Sequence, residues 1–280
     1  MTLTWPVVLA VLFGALLHAS WNAQVKSSTD KGLDTALINL FASFLAIPLV
    51  WWFGGPPPQA WPFIGASIVI HIGYYVALSG AYRHGDLGLT YPLMRGSAPL
   101  LVALSASVTL GETLSPLSWL GVLGVCLGVL TLGLGKHAFD APKAVQFALV
   151  NAVIIASYTV VDALGVRATG SAMQYVATLF LFDGWPFSLI VFARRNWAVG
   201  PYIRKRWPIA LGGASASIGS YAVALWAMTQ APVATVAALR ETSVLFAALI
   251  GMWFLKEVFT PRRIVGTCVI VVGVMALRLG

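Results

Sequence analysis

Residues 92–112, PLMRGSAPLLVALSASVTLGE, and residues 237–257, AALRETSVLFAALIGMWFLKE, carry one pattern twice at a constant shift of 145. Arg95 falls on Arg240, and Glu112 falls on Glu257. Each Arg stands inside an apolar run, and each Glu follows its Arg by seventeen residues. The match extends over 75–134 against 220–279. Gly121 and Gly128 fall on Gly266 and Gly273, and Ala77 and Ala103 fall on Ala222 and Ala248. The front of each half agrees more loosely: Ala19-Ser20-Trp21 resembles Ala156-Ser157-Tyr158, and Leu40-Phe41 resembles Leu179-Phe180.

Around these stretches the composition is that of a chain dissolved in lipid. Of 280 residues, 17 are Lys or Arg and 9 are Asp or Glu, 9% in all. Soluble domains carry about 25%. The hydrophobic share is 59% and mean hydropathy is +0.87. These figures exclude a soluble enzyme, a disordered chain and a disulfide scaffold. A bilayer-spanning helix needs about 20 mostly apolar residues. Runs of that kind fall at 4–24, 33–53, 62–82, 87–108, 117–135, 144–163, 171–193, 208–229, 233–255 and 262–279. The connections are short, the longest being 54–61, 136–143 and 194–207, so the work is done within or across the membrane. The start has no basic segment, and its first run is long enough to remain a helix rather than a signal peptide.

Ten spans divide into two five-helix repeats, 1–135 and 143–280. Five is odd, so the second copy enters the membrane from the opposite side. The expected fold class is therefore all-α: a polytopic membrane protein with ten transmembrane helices in two inverted five-helix repeats. Such pairs are characteristic of carriers that expose one central site alternately to the two sides.

The basic residues sort by side. Lys26, Lys31, Arg83, Lys136, Lys143, Arg194, Arg195, Arg204, Lys205, Arg206, Lys256, Arg262 and Arg263 fall in one set of loops. The other set, with both termini, holds Arg167 and Arg278. The positive-inside rule places the rich set in the cytoplasm and both termini outside. The formal +8 then reflects topology, and no nucleic-acid partner is expected.

Charges in the membrane need a reason, since each costs at least ~2.5–3.5 kcal/mol on insertion scales. Arg95 lies about eight residues into its helix, roughly 12 Å deep at 1.5 Å per residue. Arg240 is similarly deep from the other side. Two planar guanidiniums at matched depth could clamp an anionic group, or each could pair with a local acid, Glu241 and Asp183 being available. Asp183 could carry a coupling proton or bridge to Arg240. Asp162 reads as interfacial, near a helix end. His18 and Asn22, four apart, share a helix face, and Asn39 and His71 could join them around a cavity. His18 or His71 could carry protons. Tyr74, Tyr75, Tyr91, Tyr221 and Trp226 add aromatic walls. The Tyr91-Pro92 step is expected to interrupt the fourth helix beside Arg95, while the matched Val236-Ala237 has no proline. Gly124 and Gly128, with Gly266 and Gly273, suit close helix packing within the chain, or a dimer contact between chains. Cys126 and Cys268 sit in apolar runs and form no metal or disulfide pattern.

Several of these stretches resemble the drug/metabolite transporter superfamily, in the branch built of two EamA domains. They are Trp21-Asn22 followed by Lys26, Arg95-Gly96-Ser97-Ala98-Pro99 leading to Gly111-Glu112, and Arg240-Glu241-Thr242-Ser243 leading to Lys256-Glu257. The resemblance covers the whole chain. It implies a secondary carrier of small metabolites, commonly an exporter of amino-acid-like compounds, working without ATP. It also implies a central cavity, with the fifth and tenth helices at the periphery. The His18-Ala19-Ser20-Trp21-Asn22 opening resembles a sub-branch linked to phosphonate metabolism.

The expectation is a secondary active transporter, an exporter of a small polar metabolite, amino-acid-like or an organic anion, by alternating access. A phosphonate-type anion carrier or uniporter is the alternative, and a membrane ligand sensor or accessory subunit is the non-transport alternative. Substrate-binding candidates are Arg95, Arg240, His18, Asn22, Tyr75, Tyr91, Tyr221 and Trp226. Proton-coupling candidates are Asp183, Glu241 and His71. No cofactor, metal or catalytic residue is expected, since no Cys/His cluster, Gly-x-Ser-x-Gly or His-Glu-x-x-His occurs. The expected setting is a bacterial-type inner membrane, with lipid, the small-molecule substrate and protons as partners, and the chain as monomer or homodimer.

Overall fold

The computed structural model describes residues 3–85, 87–133, 141–255 and 261–280. Lys136, Lys256 and Glu257 lie outside the described residues. The described chain is helical throughout: α1 Trp5–Lys26, α2 Lys31–Phe53, a 3-10 turn Pro58–Ala60, α3 Trp61–His84, α4 Leu87–Thr109, α5 Pro116–Gly133, α6 Pro142–Thr169, α7 Ala172–Ala193, α8 Gly200–Gln230, α9 Val233–Arg240, α10 Ser243–Leu255 and α11 Pro261–Leu279. Among these, α9 and α10 run on as one span, and eight spans meet length and apolarity criteria for crossing a bilayer. With α4 and α11 they make ten.

Local chemistry sets the ends. Proline occupies the first turn of α1, α3, α6 and α8 and opens α5 and α11. There its missing N–H would have had no helical partner anyway. Asp30 caps α2 by accepting from the Leu33 amide at 3.0 Å, and Ser171 caps α7. Gly170, at φ 72, closes α6.

Three boundaries differ from the apolar runs. The sixth helix continues to Thr169, because Arg167 near its end is solvated and paired rather than helix-breaking. The eighth begins at Gly200, since Arg204, Lys205 and Arg206 cut the apolar run but not the backbone ladder. The ninth run breaks at Glu241-Thr242, where the amides of Glu241 and Thr242 bond carbonyls three residues back, those of Ala238 and Leu239, at 3.1 and 3.2 Å.

Proline does not decide where the break falls. Helix α4 passes unbroken through Pro92 and Pro99, contrary to the interruption expected at Tyr91-Pro92. Its packing on α5, α6 and α9 holds the helical path, and each proline costs one ladder bond. The proline-free copy breaks instead.

The helix pairing reports the repeat. Helix α1 packs on α8 as α6 packs on α3, and α4 packs on α6 as α10 packs on α1. Mates α2 and α7 pair directly, as do α5 and α11. Ser43 donates to the Phe180 carbonyl at 2.7 Å, and Ser188 donates to the Ala36 carbonyl at 2.8 Å. Residue numbers rise along α2 as they fall along α7, so these mates are antiparallel. The same holds for α5 and α11, where Gly121 meets Gly273 and Leu277 while Gly128 meets Gly266 and Ile270. Antiparallel mates are what inversion in the membrane plane requires.

The glycines therefore pack within the chain. A Cβ on Gly128 would lie 2.5 Å from the Ile270 side chain and 2.9 Å from the Gly266 carbonyl oxygen. Cys126 is buried in the same contact and Cys268 is exposed. Gly128→Leu should destabilise the fold by about 1–3 kcal/mol through overpacking. Gly65→Ala, which meets open space, should not. Melting temperatures of the purified variants in detergent check this, and equal values would contradict the close α5–α11 approach.

Candidate functional site

At the junction of α4 with the α9–α10 break, Arg95 and Glu241 form a two-point ion pair. Arg95 Nε donates to Glu241 Oε2 at 2.9 Å, and Nη2 lies 2.8 Å from Oε1. Both side chains are buried. One charge comes from each repeat. Two planar groups meeting along parallel N–H···O bonds fix both distance and orientation, and this pulls Glu241 out of the helical register that the rest of the ninth run would favour. Pro99 has no N–H to give to the Arg95 carbonyl four residues back.

Arg240, the residue before Glu241, is placed differently. Among the described residues no carboxylate pairs with it. Its guanidinium lies over the Tyr221 ring, 5.5 Å from the centroid, a cation–π arrangement. Arg95, Arg240 and Glu241 line one cavity with Ala98, Pro99, Ile155 and Tyr158. Its volume is ≈ 10 Å³, about room for one water. His18 lies within electrostatic reach of both guanidiniums. The three ionic groups sum to one positive charge, and that charge resides on Arg240.

A second polar cluster lies beside the first. Asp183 is 3.5 Å from His71 Nδ1, and not on Arg240 as one reading of the sequence had it. The reason is packing: α7 lies against α2 and α3, so its carboxylate meets the imidazole of α3. Asp162 is fully buried, which corrects its interfacial assignment, because α6 runs two turns beyond it. Tyr175 donates to Asp162 Oδ1 at 2.8 Å, and Tyr221 donates to Oδ2 in a short contact. The His71 ring stacks at a tilt on Tyr158, centroids 4.5 Å apart.

The remaining sequence candidates separate. Tyr75 accepts from Asn39 Nδ2 at 3.1 Å and stacks on Phe187. Tyr91 lies within electrostatic reach of Arg95. Asn22 donates to the His18 carbonyl at 2.8 Å, within its own helix. Trp226 is 39% exposed, at the surface of the bundle rather than in the buried cluster. Sequence reasoning placed Asp162 at the interface and missed Tyr175 and the cavity-lining role of Tyr158. The available signal was the polar spacing Tyr158–Asp162, one turn apart, in a run that continues apolar past Ala163-Leu164.

The profile of the EamA-like transporter family matches this chain twice, over residues 5–134 and 142–279. The chain belongs to the EamA-like transporter family. A solved protein crystal structure superimposes with a TM-score of 0.79, over 98% of this chain and 96% of that one, at 19% identity. At that identity the likeness concerns the fold. No curated protein matches.

This EamA-like transporter is an integral membrane protein with two EamA domains, and its family marker now has a structural reading. Glu112 accepts from the Val233 amide at 2.8 Å, capping α9, and pairs with Arg167 at 2.7 Å. Arg167 also donates to the Met228 carbonyl at 3.0 Å. At the far end of α8, Asp34 of α2 takes Arg206 Nε at 3.2 Å with a shorter contact to Nη2, and accepts from Tyr202 at 2.7 Å. Asp30 pairs with Arg195 at 2.5 Å. Charged clasps thus close the bundle at both ends of α8, with the buried clusters between them.

Breaking a buried ion pair from one side leaves an uncompensated charge. Arg95→Gln and Glu241→Gln should each destabilise the protein by on the order of 3–5 kcal/mol. The double variant should recover part of that loss. Arg240→Gln, having no carboxylate partner among the described residues, should fold near normally. Melting temperatures of the four proteins check this, and an Arg95→Gln variant as stable as Arg240→Gln would contradict it.

Proposed function

We propose that this chain is a secondary active carrier, an exporter of a small polar metabolite with an anionic group. The class is amino-acid-like compounds or organic anions, moved by alternating access. The observation that carries the reading is Arg240. Its charge lies open to a small cavity between the two repeats, while the neighbouring Arg95 is neutralised by Glu241. A half-buried guanidinium with no carboxylate partner among the described residues suits a substrate carboxylate or phosphonate, which would complete its hydrogen bonds. Arg95 then shapes the site and can exchange Glu241 for substrate. His18 and Tyr91 lie within electrostatic reach of the guanidiniums and would line the site, Tyr75 and Asn22 lie further out, and Trp226 at the bundle surface takes no part in this reading.

The cavity's small volume suits an occluded state between inward- and outward-open forms. The clasps at the two ends of α8 are where each form would open. The basic loops point to a cytoplasmic face on the Asp34–Arg206 side, with both termini outside, in a bacterial-type inner membrane. In this reading His71 and Asp183 carry coupling protons, which their 3.5 Å approach supports. Glu241 joins them whenever Arg95 releases it. Phosphonate transport or uniport would use the same guanidiniums, and a ligand sensor would use the same cavity without opening both ends.

Flux into proteoliposomes tests the reading, using amino acids, dicarboxylates and alkylphosphonates under an imposed pH gradient. An anionic or zwitterionic compound should be moved, and Arg240→Gln should reduce its flux by at least ~10-fold, the loss of about 1.4 kcal/mol of substrate stabilisation. No flux for any compound with folded protein would contradict transport. Saturable binding without flux would favour the sensor.

A further inference from the structure

Asp162 has both carboxylate oxygens filled by tyrosine hydroxyls, Tyr175 on one and Tyr221 on the other. Among the described residues no Lys or Arg pairs with it. On α3, His71 and Ser67 face it. Ser67 Oγ also lies 3.4 Å from His71 Nδ1. On α7, Asp183 shares the same imidazole, and Tyr75 of α3 lies within reach of Asp183. Tyr158, one turn before Asp162 on α6, stacks on His71. The local charge is therefore two carboxylates against one imidazole. In the interior of a bundle that imbalance favours taking up protons. Among the described residues no group of three His, Cys, Asp or Glu is arranged for a metal ion.

The connection to the anion site runs through Tyr221. Its hydroxyl is held by Asp162, and its ring carries the Arg240 guanidinium. We infer that Asp162 binds a proton within one cluster with His71 and Asp183, and that Tyr221 transmits its state to Arg240. When a proton from solution adds to Asp162 Oδ2, that oxygen gains an O–H donor and becomes a weaker acceptor, so the Tyr221 hydroxyl loosens or turns to accept. Either change moves the ring beneath Arg240. Tyr221 is a positioning residue in this scheme. The inference deepens the carrier reading, yet the proton site can be tested without any substrate.

The test is an infrared pH titration of the reconstituted wild-type protein between about pH 5 and 8, following the carbonyl stretch of protonated carboxylic acid. A titrating band is expected, and it should be lost in Asp162→Asn. Tyr221→Phe should keep the band and displace its frequency, since one hydrogen bond to the carboxyl is gone. A purely structural tyrosine would not move it. Linkage is reciprocal, so Arg240→Gln should shift the titration midpoint if Tyr221 joins the two sites. Should Asp162→Asn fail to fold, the Tyr221→Phe displacement and the Arg240→Gln shift decide the matter alone. No titrating band, a band unchanged in Asp162→Asn, or no response to both other variants overturns the inference. A band abolished by sodium at constant pH also overturns it, by assigning the site to a metal cation. Each of these outcomes leaves the flux assay of the carrier reading standing.

Discussion

The ion pair between Arg95 and Glu241 is the constraint on which the rest of the site depends. Each charge alone would be costly inside a bilayer. Together, with two hydrogen bonds between planar groups, they are tolerated, and they must stay in register. One partner belongs to each repeat, so the pair ties the halves at the bundle's centre. It also sits at the α9–α10 break, where the helix tightens into a turn at Glu241-Thr242. That break presents Arg240 to the cavity with no carboxylate partner among the described residues. In the proposed carrier reading, an open positive charge beside a neutralised one receives an anion, whereas two neutralised arginines would be only scaffolding.

Symmetry supplies the frame, and departures from it supply the chemistry. Antiparallel mates α2–α7 and α5–α11 build a bundle whose halves are interchangeable at the level of packing. The two arginine-bearing helices are not interchangeable. The copy with Pro92 and Pro99 is continuous, and the copy with neither is broken. Arg95 is paired, and Arg240 has no carboxylate partner among the described residues. The buried carboxylate cluster also has no equivalent among the described residues of the matched helices, since Asp162 and Asp183 both come from the second repeat. An asymmetric site within a symmetric frame can bind one substrate in one orientation while the frame rocks around it.

Much of this was legible in the sequence, and the failures have physical causes. The repeat of Arg95 on Arg240 is a statement about depth, and depth follows from counting residues along a helix. Ten spans and inversion follow from apolar run length and from parity. Partner choice across helices does not follow, because it depends on which faces meet. So Asp183 was available to Arg240 on paper, while packing gave it to His71. Asp162 looked interfacial because the run seemed to stop near it, whereas the helix continues through Arg167, which finds Glu112. The charged start of α8 was hidden for the same reason: charge ends an apolar run but not a helix. Glu112 was readable as a recurrent marker, and its service as a cap for α9 needed the fold.

The central claim is that the two halves exchange about the Arg95–Glu241 junction, opening one end of α8 while the other stays clasped. Double electron–electron resonance on reconstituted protein measures this most directly, with Cys126 and Cys268 replaced. One label pair goes at Lys31 and Lys205, and a second at Thr113 and Gln230, all exposed. The account predicts two distances for each pair, with one pair lengthening as the other shortens when pH or substrate is changed. A single unchanging distance at both ends, or two ends that open together, would contradict it.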